Sequence, residues 1–218
     1  MSEPVEARYQ AILKRYWGYD SFRPLQLDAI KSIASGQDTL VLMPTGGGKS
    51  IIYQVPTLAS TGVCIVITPL IALMKDQVDR LRKHRILAEA IHAGRSHREI
   101  DRILDNCIYG DIKFLYISPE RIDSEMFRMR CARMDVALIA VDEAHCISQW
   151  GYDFRPSYLQ IARLRDLCPN TPILALTASA TPKVAEDIMY RLRFDKPNIK
   201  RMSFARSNLS YVVRHTED

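Results

Sequence analysis

The sequence has no apolar run long enough to cross a bilayer. Its longest stretches, such as Val136 to Val141, fall far short of the ~20 residues that a spanning helix needs. The opening Met1-Ser2-Glu3-Pro4 lacks the basic-then-apolar pattern of a secretory signal. No membrane partner is therefore expected, and the expected location is intracellular, cytoplasmic or at the nucleoid in a bacterium. The five cysteines, Cys64, Cys107, Cys131, Cys146 and Cys168, are odd in number and contain no C-x-x-C pair. That argues against a disulfide framework and against a thiolate zinc site, so the cysteines read as reduced packing thiols and no zinc is expected. No internal repeat, low-complexity tract or Gly/Ser linker interrupts the chain.

What is present is ordinary for a globular protein: 47% hydrophobic and 25% charged residues over 218 positions, enough chain for a substantial core. The net charge is only +5, but the basic residues cluster. Between Arg191 and Arg214 seven Lys/Arg face one acid, and between Arg80 and Arg102 seven face three. Each cluster is explained equally well by a solvated helix face and by a polyanionic partner.

Short β-branched runs alternate with helical segments, and Thr39–Met43, Cys64–Thr68, Phe114–Ile117, Val136–Val141 and Ile173–Thr177 read as strands. They are apolar on both faces, which is what a parallel sheet covered on each side requires. Ser96-His97-Arg98-Glu99 has capping-box spacing, and Thr181-Pro182 places a hydroxyl cap before a first-turn proline. The expected fold is α/β: a doubly wound, mostly parallel sheet with helices on both faces. Ligands of such sheets bind beyond the carboxyl ends of the strands.

Two segments at such ends carry chemistry. The first strand runs into Met43-Pro44-Thr45-Gly46-Gly47-Gly48-Lys49-Ser50 and then an apolar helix. Three glycines let the backbone curl around a phosphate at a helix N-terminus, Lys49 reaches the β- and γ-phosphates, and the Ser50 hydroxyl suits Mg²⁺. Met43 stands where a strict P-loop has its first glycine. The strand Val136–Val141 ends in Asp142-Glu143-Ala144-His145. Here Asp142 is assigned to the Mg²⁺ shell and Glu143 to orienting and deprotonating a water, so that Glu143, Lys49 and Asp142 form the catalytic set. Together the two segments specify nucleoside triphosphate hydrolysis.

In order and content these segments resemble the first motor domain of the RecQ family of superfamily-2 DNA helicases. The resemblance implies a RecA-like P-loop fold using ATP and Mg²⁺. Tyr19-Asp20-Ser21-Phe22-Arg23-Pro24-Leu25-Gln26 resembles the family's motif 0, in which the positions of Tyr19 and Arg23 sandwich adenine and that of Gln26 reads its edge. From the residues alone, Arg23-Pro24 is equally a helix start with Pro24 in the first turn. Thr68-Pro69-Leu70 resembles motif Ia, which touches the backbone of single-stranded DNA, and Thr177-Ala178-Ser179 resembles motif III, whose hydroxyls link the acidic box to the DNA side. Either could be a plain strand exit.

The segment most diagnostic of RecQ is Gln149-Trp150-Gly151-Tyr152-Asp153-Phe154-Arg155, similar to the family's aromatic-rich DNA-sensing loop. There Trp150 and Phe154, read as exposed, would stack on bases and Arg155 would add charge. Tyr152 occupies a position where many members have histidine, so no histidine-specific role transfers to it.

The resemblance implies residues 1–204 as the ATP-binding motor domain and 205–218 as the start of a linker to a second RecA-like domain. It also implies single-stranded DNA and duplex junctions as partners, and repair or recombination as the setting. By itself the 218-residue chain is expected to bind nucleotide weakly, hydrolyse it slowly and unwind nothing, because an arginine finger from a second lobe is worth ~10³–10⁵ in rate in related enzymes. The alternatives are a single-strand-binding module or an RNA remodeller with the same phosphate box.

Overall fold

The computed structural model describes residues 5–202. The expected linker at 205–218 and the carboxyl-terminal part of the Arg191–Arg214 basic cluster lie outside them. Among the described residues, seven strands form one sheet: β1 (Thr39–Leu42), β2 (Val63–Ile67), β3 (Ala88–Ile91), β4 (Phe114–Ile117), β5 (Val136–Val141), β6 (Ile173–Thr177) and β7 (Ile199–Arg201). Their order is β3-β4-β2-β5-β6-β1-β7, and every pairing is parallel. All carboxyl ends therefore share one rim.

Alternation along the strands divides the core in two. Val41, Val66, Tyr116, Ala140 and Leu176 face α1 (Val5–Trp17), α2 (Gln26–Ala34), α3 (Lys49–Ala59) and α4 (Ile71–Lys83). Leu40, Ile65, Leu115, Ile139 and Ala175 face α5 (His97–Tyr109), α6 (Glu125–Cys131) and α8 (Pro182–Arg191), while the short α7 (Leu164–Leu167) precedes β6. Helices thus cover both faces, as the doubly apolar strands require. No helix among the described residues is long and apolar enough to cross a membrane. All five cysteines are buried and free.

The two legible helix starts form as expected. Ser96 accepts from the Glu99 amide while Glu99 accepts from the Ser96 amide, and Thr181 accepts from the Val184 amide ahead of Pro182. The sequence patterns do not anticipate β3 and β7. Each is short and carries charge, Glu89 in one and Lys200 and Arg201 in the other, and each lies at a sheet edge where charge is tolerated. The central strands are tied at their amino ends by Asp38, which accepts from the Ile173 amide at 2.8 Å and pairs with the largely covered guanidinium of Arg165.

Candidate nucleotide site and its link to the aromatic loop

Between β1 and α3 the loop has the curvature that its glycines permit. Gly46 and Gly48 take φ of 78° and 83°, a left-handed backbone that other residues rarely adopt. A Cβ on Gly48 would lie 2.5 Å from Nε2 of Gln26, and one on Gly47 would lie 2.9 Å from the Pro44 carbonyl oxygen. Met43, at the position of the missing glycine, is fully buried beneath the loop with its Cε against Gly47, so it supports the cradle from below. Lys49 and Ser50 open α3.

A cleft of about 590 Å³ gathers Tyr19, Arg23, Gln26, Thr45, Gly46, Gly48, Lys49, Ser50, Asp142 and Glu143. The phosphate loop and the acid pair, remote in sequence, therefore share one cavity. Gly47 lies behind it, buried.

The motif-0 segment is tied to the loop. Arg23 donates through Nη1 to the Gly46 carbonyl at 2.7 Å, and Gln26 donates through Nε2 to the Gly48 carbonyl at 2.9 Å. Oε1 of Gln26 accepts from the Arg23 amide at 2.8 Å. Both ends of the Gln26 amide thus have protein partners, where an adenine-reading role needs them free. Pro24 does not start the helix: α2 begins at Gln26, after Leu25 in a left-handed conformation. Tyr19 is exposed beside this segment.

At the end of β5 the Asp142 amide still pairs with the Ile67 carbonyl, and Tyr158 donates to the Asp142 carbonyl at 3.0 Å. Glu143 is left-handed at φ 47°, a strained conformation for a residue with a Cβ, and its amide donates to Asp142 Oδ1. Burial pushes the Asp142 carboxyl up to about 6, the Glu143 charge adds to that, and Lys49 opposes it. A desolvated carboxyl in the same cleft as the Ser50 hydroxyl is a hard-oxygen donor set, and it fits Mg²⁺.

Sequence reasoning assigned no role to His145, yet it is central. It is buried, with Nδ1 2.9 Å from Thr177 Oγ1 and 3.3 Å from Glu143 Oε2. Burial lowers its pKa, the Glu143 and Asp153 charges raise it, and Lys49 and Arg155 lower it further. The one signal in the sequence was a histidine two places after the acid pair at a strand exit. Thr177 also accepts from the Ser179 amide; of the two motif III residues Thr177 reaches the acidic box, through His145, while Ser179 itself is exposed.

The aromatic loop wraps the other side of His145. Tyr152 stacks on the imidazole with centroids 4.8 Å apart and planes 19° from parallel. Trp150 is 62% exposed, with Lys183 Nζ 3.2 Å above its ring. Phe154 is half-buried, which corrects the expectation of an exposed ring; its neighbours on the loop turn outward instead. Arg155 pairs with Asp153 at 3.1 Å rather than standing free. A cavity of about 520 Å³ beside this loop is lined by His145, Trp150, Tyr152, Ser179 and Thr181. Thr68 departs from expectation too. Its amide is taken by the Ile117 carbonyl, and its hydroxyl is buried without a partner, while Pro69 is half-buried.

A glycine cradle after β1 and an acid pair after β5, opening into one cleft, define a P-loop motor domain. The family model described as DEAD/DEAH box helicase matches residues 23–188, and the chain belongs to that family. Within it the chain is of the RecQ type. It is 48% identical over 94% of its length to the ATP-dependent DNA helicase RecQ of Bacillus subtilis, and 40% identical over 96% to that of Pasteurella multocida. The chain spans about a third of the length of these relatives. Among solved structures, the helicase MrfA superposes with a TM-score of 0.72 at 18% identity, covering 92% of this chain and 33% of that one. The Pyrococcus furiosus Hef helicase domain superposes at 0.63 with 21% identity, covering 83% and 38%. Both share the fold.

Proposed function

We propose that this chain is the ATP-binding lobe of a DNA helicase motor, coupling Mg²⁺-ATP hydrolysis to movement along single-stranded DNA and the opening of duplex junctions inside the cell. The observation that carries this reading is the meeting of Lys49, Ser50, Asp142 and Glu143 in one cleft whose back wall, through His145, is continuous with the aromatic loop. The RecQ relatives are ATP-dependent DNA helicases by name, which supports it.

In this reading Lys49 and the N-terminus of α3 hold the β- and γ-phosphates, Tyr19 and Arg23 flank the base, and Gln26 exchanges both its partners, the Gly48 carbonyl and the Arg23 amide, for the adenine edge. Ser50 and Asp142 hold Mg²⁺, which when bound neutralises charge on the transferred phosphoryl group. Glu143 orients the attacking water and takes its proton. On the DNA side, a base stacks on Trp150 once Lys183 leaves that face, a contact worth ~1–3 kcal/mol. Arg155, Phe154, Thr68, Pro69 and Ser179 border the strand.

By itself the chain hydrolyses slowly and does not unwind, because the reaction draws on an arginine supplied by a second lobe in cis. A coupled ATPase assay on the chain, with and without single-stranded DNA, together with nucleotide titrations of Lys49→Ala and Glu143→Gln, tests this. Lys49→Ala is expected to lose nucleotide affinity, and Glu143→Gln to keep it. Strong DNA-stimulated turnover by the chain alone, or undiminished affinity in Lys49→Ala, overturns the respective part.

A further inference from the structure

We infer that the loop after the acidic box carries a site for a thiophilic divalent cation such as Zn²⁺, formed by Nε2 of His145, Sγ of Cys146 and the carboxylate of Asp153. The three ligand atoms lie within 4.8 Å of one another. Sγ of Cys146 is 3.8 Å from Nε2 of His145 and 3.6 Å from Oδ2 of Asp153. A tetrahedral zinc with Zn–S of about 2.3 Å and Zn–N or Zn–O of about 2.0 Å places neighbouring ligands about 3.5 Å apart, so the two Cys146 distances need to contract by a few tenths of an ångström and the His145–Asp153 separation, within 4.8 Å, by up to about 1.3 Å.

The imidazole is oriented for it. Thr177 Oγ1 and Glu143 Oε2 both face Nδ1, which fixes the proton there and leaves the Nε2 lone pair directed at the thiol. A carboxylate behind a histidine is the arrangement that sets the tautomer at metal centres. Stacking with Tyr152 covers one face of the ring. The Asp153 side chain is 43% exposed, so the cluster borders solvent on that side, while Cys146 and His145 are buried.

A zinc site here departs from the expectation of no zinc, which rested on the missing C-x-x-C pair; His145 and Asp153 are brought to Cys146 by the fold of the loop between them, which cysteine spacing does not record. The donors also separate it from the Mg²⁺ site. A thiol and an imidazole prefer a softer ion than the hydroxyl and carboxylate of Ser50 and Asp142 do.

On binding, the Cys146 S–H bond breaks as the S–metal bond forms and the proton passes to buffer; no electron is transferred. The ion displaces Arg155, whose guanidinium holds Asp153 Oδ2 at 3.1 and 3.3 Å. It then ties Asp153 on the aromatic loop to His145 and, through Nδ1, to Glu143. Occupancy therefore locks the loop against the acidic box.

Titration of the metal-free chain with Co²⁺, under a thiol-free reductant, tests the site without relying on catalysis. A thiolate-to-cobalt charge-transfer band saturating at equimolar metal, reversed by Zn²⁺, is expected. Cys146→Ala and, at the exposed end of the site, Asp153→Asn should each lose that saturable band with circular dichroism unchanged, and a Cys131→Ala/Cys168→Ala double variant should retain it. Thr177→Val, which removes the support behind the imidazole, should weaken affinity by about 10–100-fold. No band, or a band that survives in both Cys146→Ala and Asp153→Asn, overturns the inference. Neither outcome bears on nucleotide binding, so the proposed motor role stands or falls separately.

Discussion

Nδ1 of His145 lies 2.9 Å from Oγ1 of Thr177, joining the segment that follows β5 to the end of β6. The same nitrogen is 3.3 Å from the Glu143 carboxylate, so the hydroxyl and the proposed base share one proton donor. Thr177→Val keeps the shape of the side chain and removes the acceptor. It is expected to cost about 1–3 kcal/mol, the desolvation of an unpaired buried group. It should also lower turnover in the full-length protein while leaving ATP affinity unchanged. Chemical denaturation and steady-state kinetics measure the two effects, and a fall in affinity alone would place Thr177 elsewhere.

The pH response of the site follows from Asp142. Burial raises its carboxyl from the usual 3.8 to about 6, so the folded chain binds this proton more tightly than the unfolded chain. The group's contribution to stability is full at acid pH and is lost as pH rises through about 6. A metal ion competes for the same carboxylate. Mg²⁺-dependent nucleotide affinity should therefore weaken as pH falls through about 6, and Asp142→Asn should flatten that dependence. Titrations with a fluorescent nucleotide across this range decide it.

Gly48→Ala sets a methyl group 2.5 Å from the Gln26 amide on a backbone at φ +83°. The left-handed conformation alone costs about 1–2 kcal/mol for a residue with a Cβ. The loop must also move away from α2, so nucleotide affinity should fall sharply. Adding Gln26→Ala relieves the clash but not the backbone strain, and the double variant should recover part of the stability. Calorimetric melting of the two variants separates the contributions.

Asp38→Ala leaves the largely covered Arg165 guanidinium without its carboxylate and the Ile173 amide without its acceptor. Breaking one half of a buried pair is expected to cost about 3–5 kcal/mol. The loss should appear as a lowered unfolding midpoint at unchanged denaturant slope.

The chain's local patterns were sufficient for much of this. Doubly apolar strands predict a sheet covered on both sides, and the glycines at 46–48 predict a curled loop because few other residues take that backbone. Ser96 and Thr181 mark their helix starts, since capping involves only neighbours. The edge strands β3 and β7 escaped because short charged segments gain strand character from a paired neighbour, which no local pattern records.

What only tertiary structure decided is which groups meet. The half-burial of Phe154, the burial of Thr68, the tethering of Gln26 to the phosphate loop, the capping of Trp150 by Lys183 and the placing of His145 between Glu143, Thr177 and Tyr152 all depend on contacts between segments remote or turned in sequence. Residue types and spacing determine what chemistry a segment is able to perform. Burial and hydrogen bonding across a packed sheet rim decide which of those groups are free to perform it, because both are properties of neighbours that the chain brings together only on folding.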